Sequence, residues 1–153
     1  MDNMEQQIVK LRPPVGKADA YLPLELMEPK TFELFCCELI KKRLKNEDGE
    51  IIDAMTIGIS GQSQFGADII SHRRYDHQDI YSLYEVKRYK KLSVDDYIFA
   101  ASRFLDNRDK WQVHINEFYI FLCVKASAKL ISKYKTQEKR FKTLNIAHRL
   151  LDK

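Results

Sequence analysis

The stretch YEVKRYKK, residues 84–91, places an acid and a base two positions apart, at Glu85 and Lys87. In a β-strand, residues two apart project from the same face and lie about 6–7 Å from each other. A carboxylate in that position can bind a divalent cation, and the ammonium group can hold the attacking water or neutralise charge on a phosphate. As a bare motif, an acid and a base on a strand usually form only a surface ion pair. The pair therefore needs further partners before it predicts a site.

Two more acids are candidates for the same site. Asp68 follows Gly66 near the start of the preceding predicted strand, and Glu33 lies on a predicted helix. If the two strands form an antiparallel hairpin with about six residues at its tip, Asp68 meets Glu85 at one edge of the sheet. Taken singly, an Asp after Gly is usually a turn residue, and a Glu in the first turn of a helix usually just meets the helix dipole.

Hydrophobic spacing assigns the elements that must position these residues. Apolar residues at spacings of three and four behind Pro29 predict an amphipathic helix over residues 29–46. Further along the chain, the pattern predicts strands at 51–60, 67–75 and 79–89, a helix from the Ser93–Asp96 capping box to about Asn107, a strand at 117–124 and a helix over 127–141. The last dozen residues indicate either a short strand near 144–147 or more helix.

These elements predict one α/β domain. The strand at 117–124 is almost entirely apolar, which is typical of a central strand buried on both faces. Because a helix precedes it, this strand should run parallel to the strand at 79–89, while the first three strands can form an antiparallel meander. We therefore expect a mixed central sheet of four to five strands flanked by helices over residues 28–153, after a loop-rich arm at residues 1–27.

Composition sets broad limits. The chain has 153 residues, 44% of them hydrophobic, which is typical of a globular domain and excludes general disorder. The net charge of +4 permits a polyanionic partner without requiring one. From Lys125 to Lys153 there are nine Lys or Arg residues, which are as consistent with a solvated helix face as with a surface for such a partner. The apolar runs are too short to span a bilayer, so we expect a cytosolic protein with no membrane partner.

Cysteine and histidine do not indicate a metal centre. Three cysteines lie in apolar runs, which favours reduced core thiols, and four histidines are scattered and read as surface or packed residues: Cys36, Cys37, Cys123, His72, His77, His114 and His148.

In order and element type, the motifs resemble the PD-(D/E)xK nuclease superfamily, and specifically its Mrr-like restriction endonuclease domains. Phe32-Glu33 in TFELFCCELI is similar to the Phe-Glu pair of their early helix. GQSQFGAD, ending in Asp68, is similar to their Gly-rich turn and strand Asp, and EVKRYKK to their (Glu/Gln)-x-Lys strand. The resemblance covers about residues 28–150. Many Mrr-like members have Gln in place of Glu85, and their turn is richer in Gly and Asp.

The resemblance implies a restriction-endonuclease-like core and a metal-dependent deoxyribonuclease that hydrolyses DNA phosphodiester bonds. Asp68 and Glu85 would bind Mg²⁺ or Mn²⁺ with the carbonyl of Val86. Lys87 would position the attacking water and stabilise the pentavalent phosphorane. Glu33 would orient the water shell of the metal or Lys87.

The resemblance also implies partners. Double-stranded DNA would be held through its backbone by Gln62, Gln64, Arg88, Lys90 and Lys91. Mrr-like domains are commonly effectors in prokaryotic antiviral defence, so we expect a homo-oligomer when active and an added sensor, such as a STAND-type NTPase domain or subunit. Two alternatives stay open: a catalytically inactive nuclease fold used for nucleic-acid binding or assembly, and a plain α/β interaction domain with a chance Glu-x-Lys.

Overall fold

The structure, a computed structural model, describes residues 24–45, 50–57, 65–88 and 92–152. Most of the predicted arm of residues 1–27 therefore lies outside the described residues. In chain order the elements are a 3-10 helix (Leu24–Leu26), α1 (Pro29–Lys45), β1 (Glu50–Thr56), β2 (Ile69–Tyr75), β3 (Gln78–Lys87), α2 (Val94–Asn107), a second 3-10 helix (Arg108–Lys110), β4 (Glu117–Leu122), α3 (Ala128–Lys142) and β5 (Ala147–Leu151).

The five strands form one mixed sheet in chain order, β1-β2-β3-β4-β5. The first three strands pair antiparallel, whereas β3–β4 and β4–β5 pair parallel. The predicted α/β fold, with a mixed sheet flanked by helices, is confirmed, as is the parallel pairing across α2. The last strand starts later than the predicted 144–147, because Asn145 adopts a left-handed φ of 57° that ends the helical segment first.

Serine side chains begin both of the later helices. Ser93 Oγ accepts a hydrogen bond from the Asp96 main-chain N–H at 3.1 Å, as the predicted capping box requires. Ser127 Oγ accepts from the Leu130 N–H at 3.2 Å. Such caps stabilise a helix by about 1 kcal/mol, so the start of α2, which packs on the sheet near the candidate site, is locally encoded.

Helices cover both faces of the sheet. On one face, α1 packs Phe32, Cys36 and Ile40 against Ile69 and Tyr84. On the other face, α2 and α3 bring three stacked rings together, with centroids 4.1 Å apart for Phe104–Phe118 and 5.7 Å for Phe118–Phe141. Because both faces are covered, both sides of β3 are buried, and Glu85 is only 2% exposed.

The predicted thiols lie in the α1-side core. Cys36, Cys37 and Cys123 are buried, and burial raises the pKa of Cys36 to about 12. Within the ranges that the structure describes, no helix combines the length and the apolar character needed to cross a bilayer.

The hairpin of β2 and β3 is tighter than the sequence suggests. Tyr75 pairs directly with Gln78, so the tip is a two-residue turn in which Asp76 and His77 have φ values of 48° and 62°. The predicted tip of about six residues is therefore wrong, because charged residues on either side, such as Arg74, still pair in the ladder. The residues look loop-like since this end of the hairpin is exposed to solvent.

Candidate functional site

Asp68 lies at the end of the β2–β3 ladder and makes two main-chain hydrogen bonds and one through its side chain. Its N–H donates to the Tyr84 carbonyl at 2.8 Å, and its carbonyl accepts from the Ile57 N–H at 2.7 Å. Its carboxylate Oδ2 accepts from the Val86 N–H at 2.7 Å. The last paired residues of the hairpin are Ile69 and Tyr84, so the next step of the same register sets Asp68 opposite Glu85.

A tight turn delivers the chain to Asp68. Phe65 and Gly66 both have left-handed φ values, 51° and 82°. A β-carbon on Gly66 would lie 3.1 Å from both the main-chain N and the Cα of Phe104 on α2. Glycine is therefore required by its φ and by its close approach to the helix.

The side chain of Glu85 projects toward α2 and forms ion pairs with two basic side chains. Lys87 Nζ lies 2.5 Å from Glu85 Oε1, so the acid and the base share a face as their spacing predicts. Arg103 Nη2, from α2, lies 3.2 Å from Oε1 and 3.4 Å from Oε2 of the same carboxylate. The negative charge of this buried side chain is thus compensated within the protein.

The sequence-based prediction does not include Arg103. The available signal is its position on α2, three residues after the buried Ala100 and next to the buried Phe104. A base at the flank of the buried stripe of an amphipathic helix can reach an acid that lies beneath the helix.

Glu33 approaches from the α1 side. It lies one turn into α1, beyond the first turn, and its side chain is 20% exposed and paired with Lys30 at 3.0 Å. Phe32, beside it, is buried in the core and so turns Glu33 toward the sheet edge. Glu33, Asp68 and Lys87 meet at a cleft of about 310 Å³. Its lining residues are Pro29, Phe32, Glu33, Asp68, Val86, Lys87 and Arg88. Glu85 does not line this cleft and lies on the α2 side of β3.

The negative charge of the partly buried Asp68 carboxyl group is poorly compensated by its surroundings. Burial, followed by the negative charge of Glu85, raises its pKa to about 6. The Val86 N–H and Lys87 act in the opposite direction, while Glu33 adds to the rise. A carboxyl group with these surroundings, beside a second acid, favours a cation near it.

Glu117, another largely buried acid, shows the contrast. Burial alone would raise its pKa, but hydrogen bonds from Tyr119 at 2.6 Å and Arg73 at 2.8 Å, with the charge of Arg73, lower the pKa overall. Ser82 donates a further hydrogen bond at 3.1 Å. These partners stabilise the charge of Glu117, whereas the surroundings of Asp68 oppose its ionised form, as is typical of functional sites.

The donor chemistry of the site fits a small hard cation. Mg²⁺ keeps several waters and usually takes one or two protein carboxylates, and Asp68 and Glu85 supply that number. In residues 24–45, 50–57, 65–88 and 92–152, no group of three or more His, Cys, Asp or Glu side chains is arranged to hold a metal ion. A cation held by Asp68 and Glu85 would therefore take its remaining ligands from water.

The predicted DNA contacts divide into two groups. Arg88 lines the cleft, while Gln62, Gln64, Lys90 and Lys91 lie outside the described residues.

Buried His148 belongs to the core. Its Nδ1–H donates to the Phe118 carbonyl at 2.9 Å, so its Nε2 accepts from the Tyr97 hydroxyl, also at 2.9 Å. Burial lowers its pKa to about 4, which leaves it neutral at physiological pH. The reading of His148 as a packed histidine is thereby confirmed.

No family model, no curated protein and no solved structure matches this chain.

Proposed function

We propose that this chain is a metal-dependent deoxyribonuclease with a restriction-endonuclease-like PD-(D/E)xK core of the Mrr-like type. The observation that carries the proposal is the hairpin register, which sets Asp68 opposite Glu85 with Lys87 beside it at one end of the sheet. The mixed five-strand sheet flanked by helices is compatible with such a core. Glu33, which lines the cleft together with Asp68 and Lys87, supplies the acid expected from the early helix.

Each residue then has a role in phosphodiester hydrolysis. Asp68 and Glu85, with the carbonyl of Val86, hold Mg²⁺ or Mn²⁺. The bound ion supplies Lewis acidity and lowers the pKa of a water molecule. Lys87 orients the attacking water and offsets the charge that develops on the phosphate. Glu33 orients water at the mouth of the cleft.

DNA is held mainly through its phosphates. Arg88 lines the cleft and contributes one such contact. Gln62, Gln64, Lys90 and Lys91 complete the backbone contacts in this proposal. Cleavage of both strands needs two sites, which favours a homo-oligomer. By analogy with Mrr-like domains, the biological role is that of a defence effector governed by a sensor or STAND-type NTPase domain or subunit.

One observation favours the second candidate, a catalytically inactive nuclease fold that binds nucleic acid or acts in assembly. Glu85 is already paired with both Lys87 and Arg103, so its charge is compensated without a metal ion. A nuclease fold without catalytic activity would keep the Glu85–Lys87 and Glu85–Arg103 ion pairs for stability.

Cleavage of supercoiled plasmid in Mg²⁺, Mn²⁺ or EDTA separates the two candidates. We expect metal-dependent nicking by the wild type, and a loss of about 10²-fold or more in Asp68→Asn and Lys87→Ala. Asp79→Asn, at the far end of the hairpin, is the matched control and keeps activity.

Absence of cleavage by the wild type under every metal, with unchanged DNA binding by Asp68→Asn, supports the inactive module. The same assay on a chain fused to an inducible dimerisation domain completes the test. A nuclease that needs clustering becomes active on dimerisation, whereas continued inactivity contradicts the nuclease proposal.

A further inference from the structure

Arg103 and Lys87 bind the same carboxylate in different ways. The Lys87–Glu85 contact is 2.5 Å, whereas the Arg103 contacts of 3.2 and 3.4 Å are longer than the 2.7–2.9 Å usual for charge-assisted hydrogen bonds. Both Arg103 contacts come from one nitrogen, Nη2, so the paired geometry that makes arginine–carboxylate bridges strong is not used. The arginine is thus the looser of the two cations.

The Nε atom of Arg103 is further evidence that the arginine is loosely held. Its Nε is buried and has no hydrogen-bond partner among the residues that the structure describes. A buried N–H without a partner is unfavourable, because the group has lost its hydrogen bond to water. The guanidinium is therefore seated on Glu85 without all of its donors being satisfied.

Burial differs sharply between the two partners. The side chain of Glu85 is 2% exposed, whereas that of Arg103 is 41% exposed. Arg103 can therefore move into solvent more easily than Glu85, and the buried carboxylate, which keeps Lys87, still gains from a second positive charge beside it. A divalent cation at the proposed site would provide that charge.

We propose that Arg103 is a displaceable counter-ion of Glu85, which competes with the divalent cation for this carboxylate and is displaced when the cation binds. The inference rests on the proposed function, because it takes Glu85 as a metal ligand. Arg103 is a positioning residue in this scheme, since it acts on the metal ion through Glu85. In the metal-free protein, Arg103 helps to compensate the charge of Glu85. The affinity for the metal ion then depends partly on the strength of the Arg103–Glu85 ion pair.

Competition between Arg103 and the metal ion predicts a specific direction for the change in metal affinity when Arg103 is removed. If Arg103 only supported the shape of the site, its removal would weaken metal binding. If it competes with the metal ion, its removal tightens metal binding. The direction of the change in metal affinity therefore separates the two roles without any measurement of cleavage.

The test is Mn²⁺ binding without DNA, followed by electron paramagnetic resonance of the free ion. We expect Arg103→Gln to bind Mn²⁺ about three- to tenfold more tightly than wild type. Arg103→Lys, which retains a cation, should fall between the two. Arg108→Gln is the matched control, because Arg108 lies on the next turn and donates to the Leu105 carbonyl instead.

Further variants make every outcome informative. Circular dichroism melts show whether Arg103→Gln is folded, and Arg103→Met, which keeps the apolar stem, replaces it if it is not. Mn²⁺ binding that is lost in Asp68→Asn but unchanged or weaker in the Arg103 variants overturns the competition and leaves the nuclease proposal standing. Absence of Asp68-dependent binding in wild type and all variants overturns the metal site itself, and the competition with it.

Discussion

Asp68 is a partly buried and His148 a fully buried titratable residue, and their pKa values are displaced in opposite directions. For Asp68 the folded-state pKa of about 6 lies above the ordinary 3.8, so the folded chain binds more protons than the unfolded chain between these values. For His148 the folded-state pKa of about 4 lies below the ordinary 6.5, so the folded chain binds fewer. As the pH falls, Asp68 makes folding more favourable and His148 makes it less favourable.

Replacing Asp68 with Asn should reveal the contribution of His148 to the pH dependence of stability. In the metal-free protein, Asp68→Asn is expected to be more stable than wild type above pH 6, because the unfavourable, partly buried charge is gone. Between pH 6.5 and 4 the variant should lose stability more steeply than wild type, since His148 then acts unopposed. The free energy of unfolding in urea, measured across this range, checks both effects.

Asp109→Asn serves as the control for this change. Asp109 is exposed, so its removal should leave the pH profile of stability parallel to that of wild type. Parallel profiles for Asp68→Asn and wild type would contradict the assigned environment of Asp68.

The turn at Phe65–Gly66 is the element that joins the site to α2. Gly66 touches the α2 backbone at Phe104, one residue after Arg103, so one contact positions both Asp68 and the base that pairs with Glu85. The sequence marks this turn as glycine-containing, but it does not indicate which element the glycine approaches.

Gly66→Ala is expected to destabilise the protein by about 1–3 kcal/mol and to weaken Mn²⁺ binding as well. Its β-carbon would meet the Phe104 backbone at 3.1 Å, and its φ of 82° is unfavourable for alanine. Chemical denaturation and Mn²⁺ titration measure the two effects. Ser127→Ala, which removes the α3 cap at a cost of about 1 kcal/mol, should lose stability with unchanged Mn²⁺ affinity. Equal metal affinities for all three proteins would argue against this coupling.

Much of the fold is predictable because its signals are local. Proline and serine mark helix starts at Pro29 and Ser93, and the apolar run from Glu117 marks a central strand. The hairpin tip is less predictable, because Arg74 and Asp79 pair across exposed strands and so resemble loop residues. The burial of Glu85 is not predictable from alternation, since it depends on α2 covering the second face of the sheet.

At the scale of the whole molecule, basic residues occur before α3 and along it, at different distances from the candidate site. Lys87 pairs with Leu122 at the end of β4, so the chain leaves the sheet beside the candidate site before α3 begins. Lys125 and Lys129 follow directly, whereas Lys139 and Lys142 lie at the opposite end of α3, near the start of β5. The first pair is thus better placed than the second to meet a polyanion bound at the site.

Two double variants should therefore differ although each removes two exposed charges. We expect Lys125→Gln with Lys129→Gln to weaken duplex DNA binding about tenfold at low salt and to reduce the salt dependence by one to two phosphate contacts. Lys139→Gln with Lys142→Gln should leave both nearly unchanged. Fluorescence anisotropy in EDTA, over a series of salt concentrations, measures both. Indistinguishable curves would assign the whole basic face of α3 to solvent.

The two-residue turn between β2 and β3 also has a consequence for the order of folding. A short loop loses little chain entropy on closure, whereas the parallel pairings of β4 and β5 must wait for whole helices to be placed. Asp68 and Glu85 should therefore meet in the transition state, before Arg103 docks. His77→Gly, which suits the φ of 62° at that position, is expected to speed folding with little change in the unfolding rate, whereas Leu150→Ala in β5 mainly speeds unfolding. Stopped-flow chevron plots of the two variants would show whether the acids of the candidate site are assembled first and their counter-ion last.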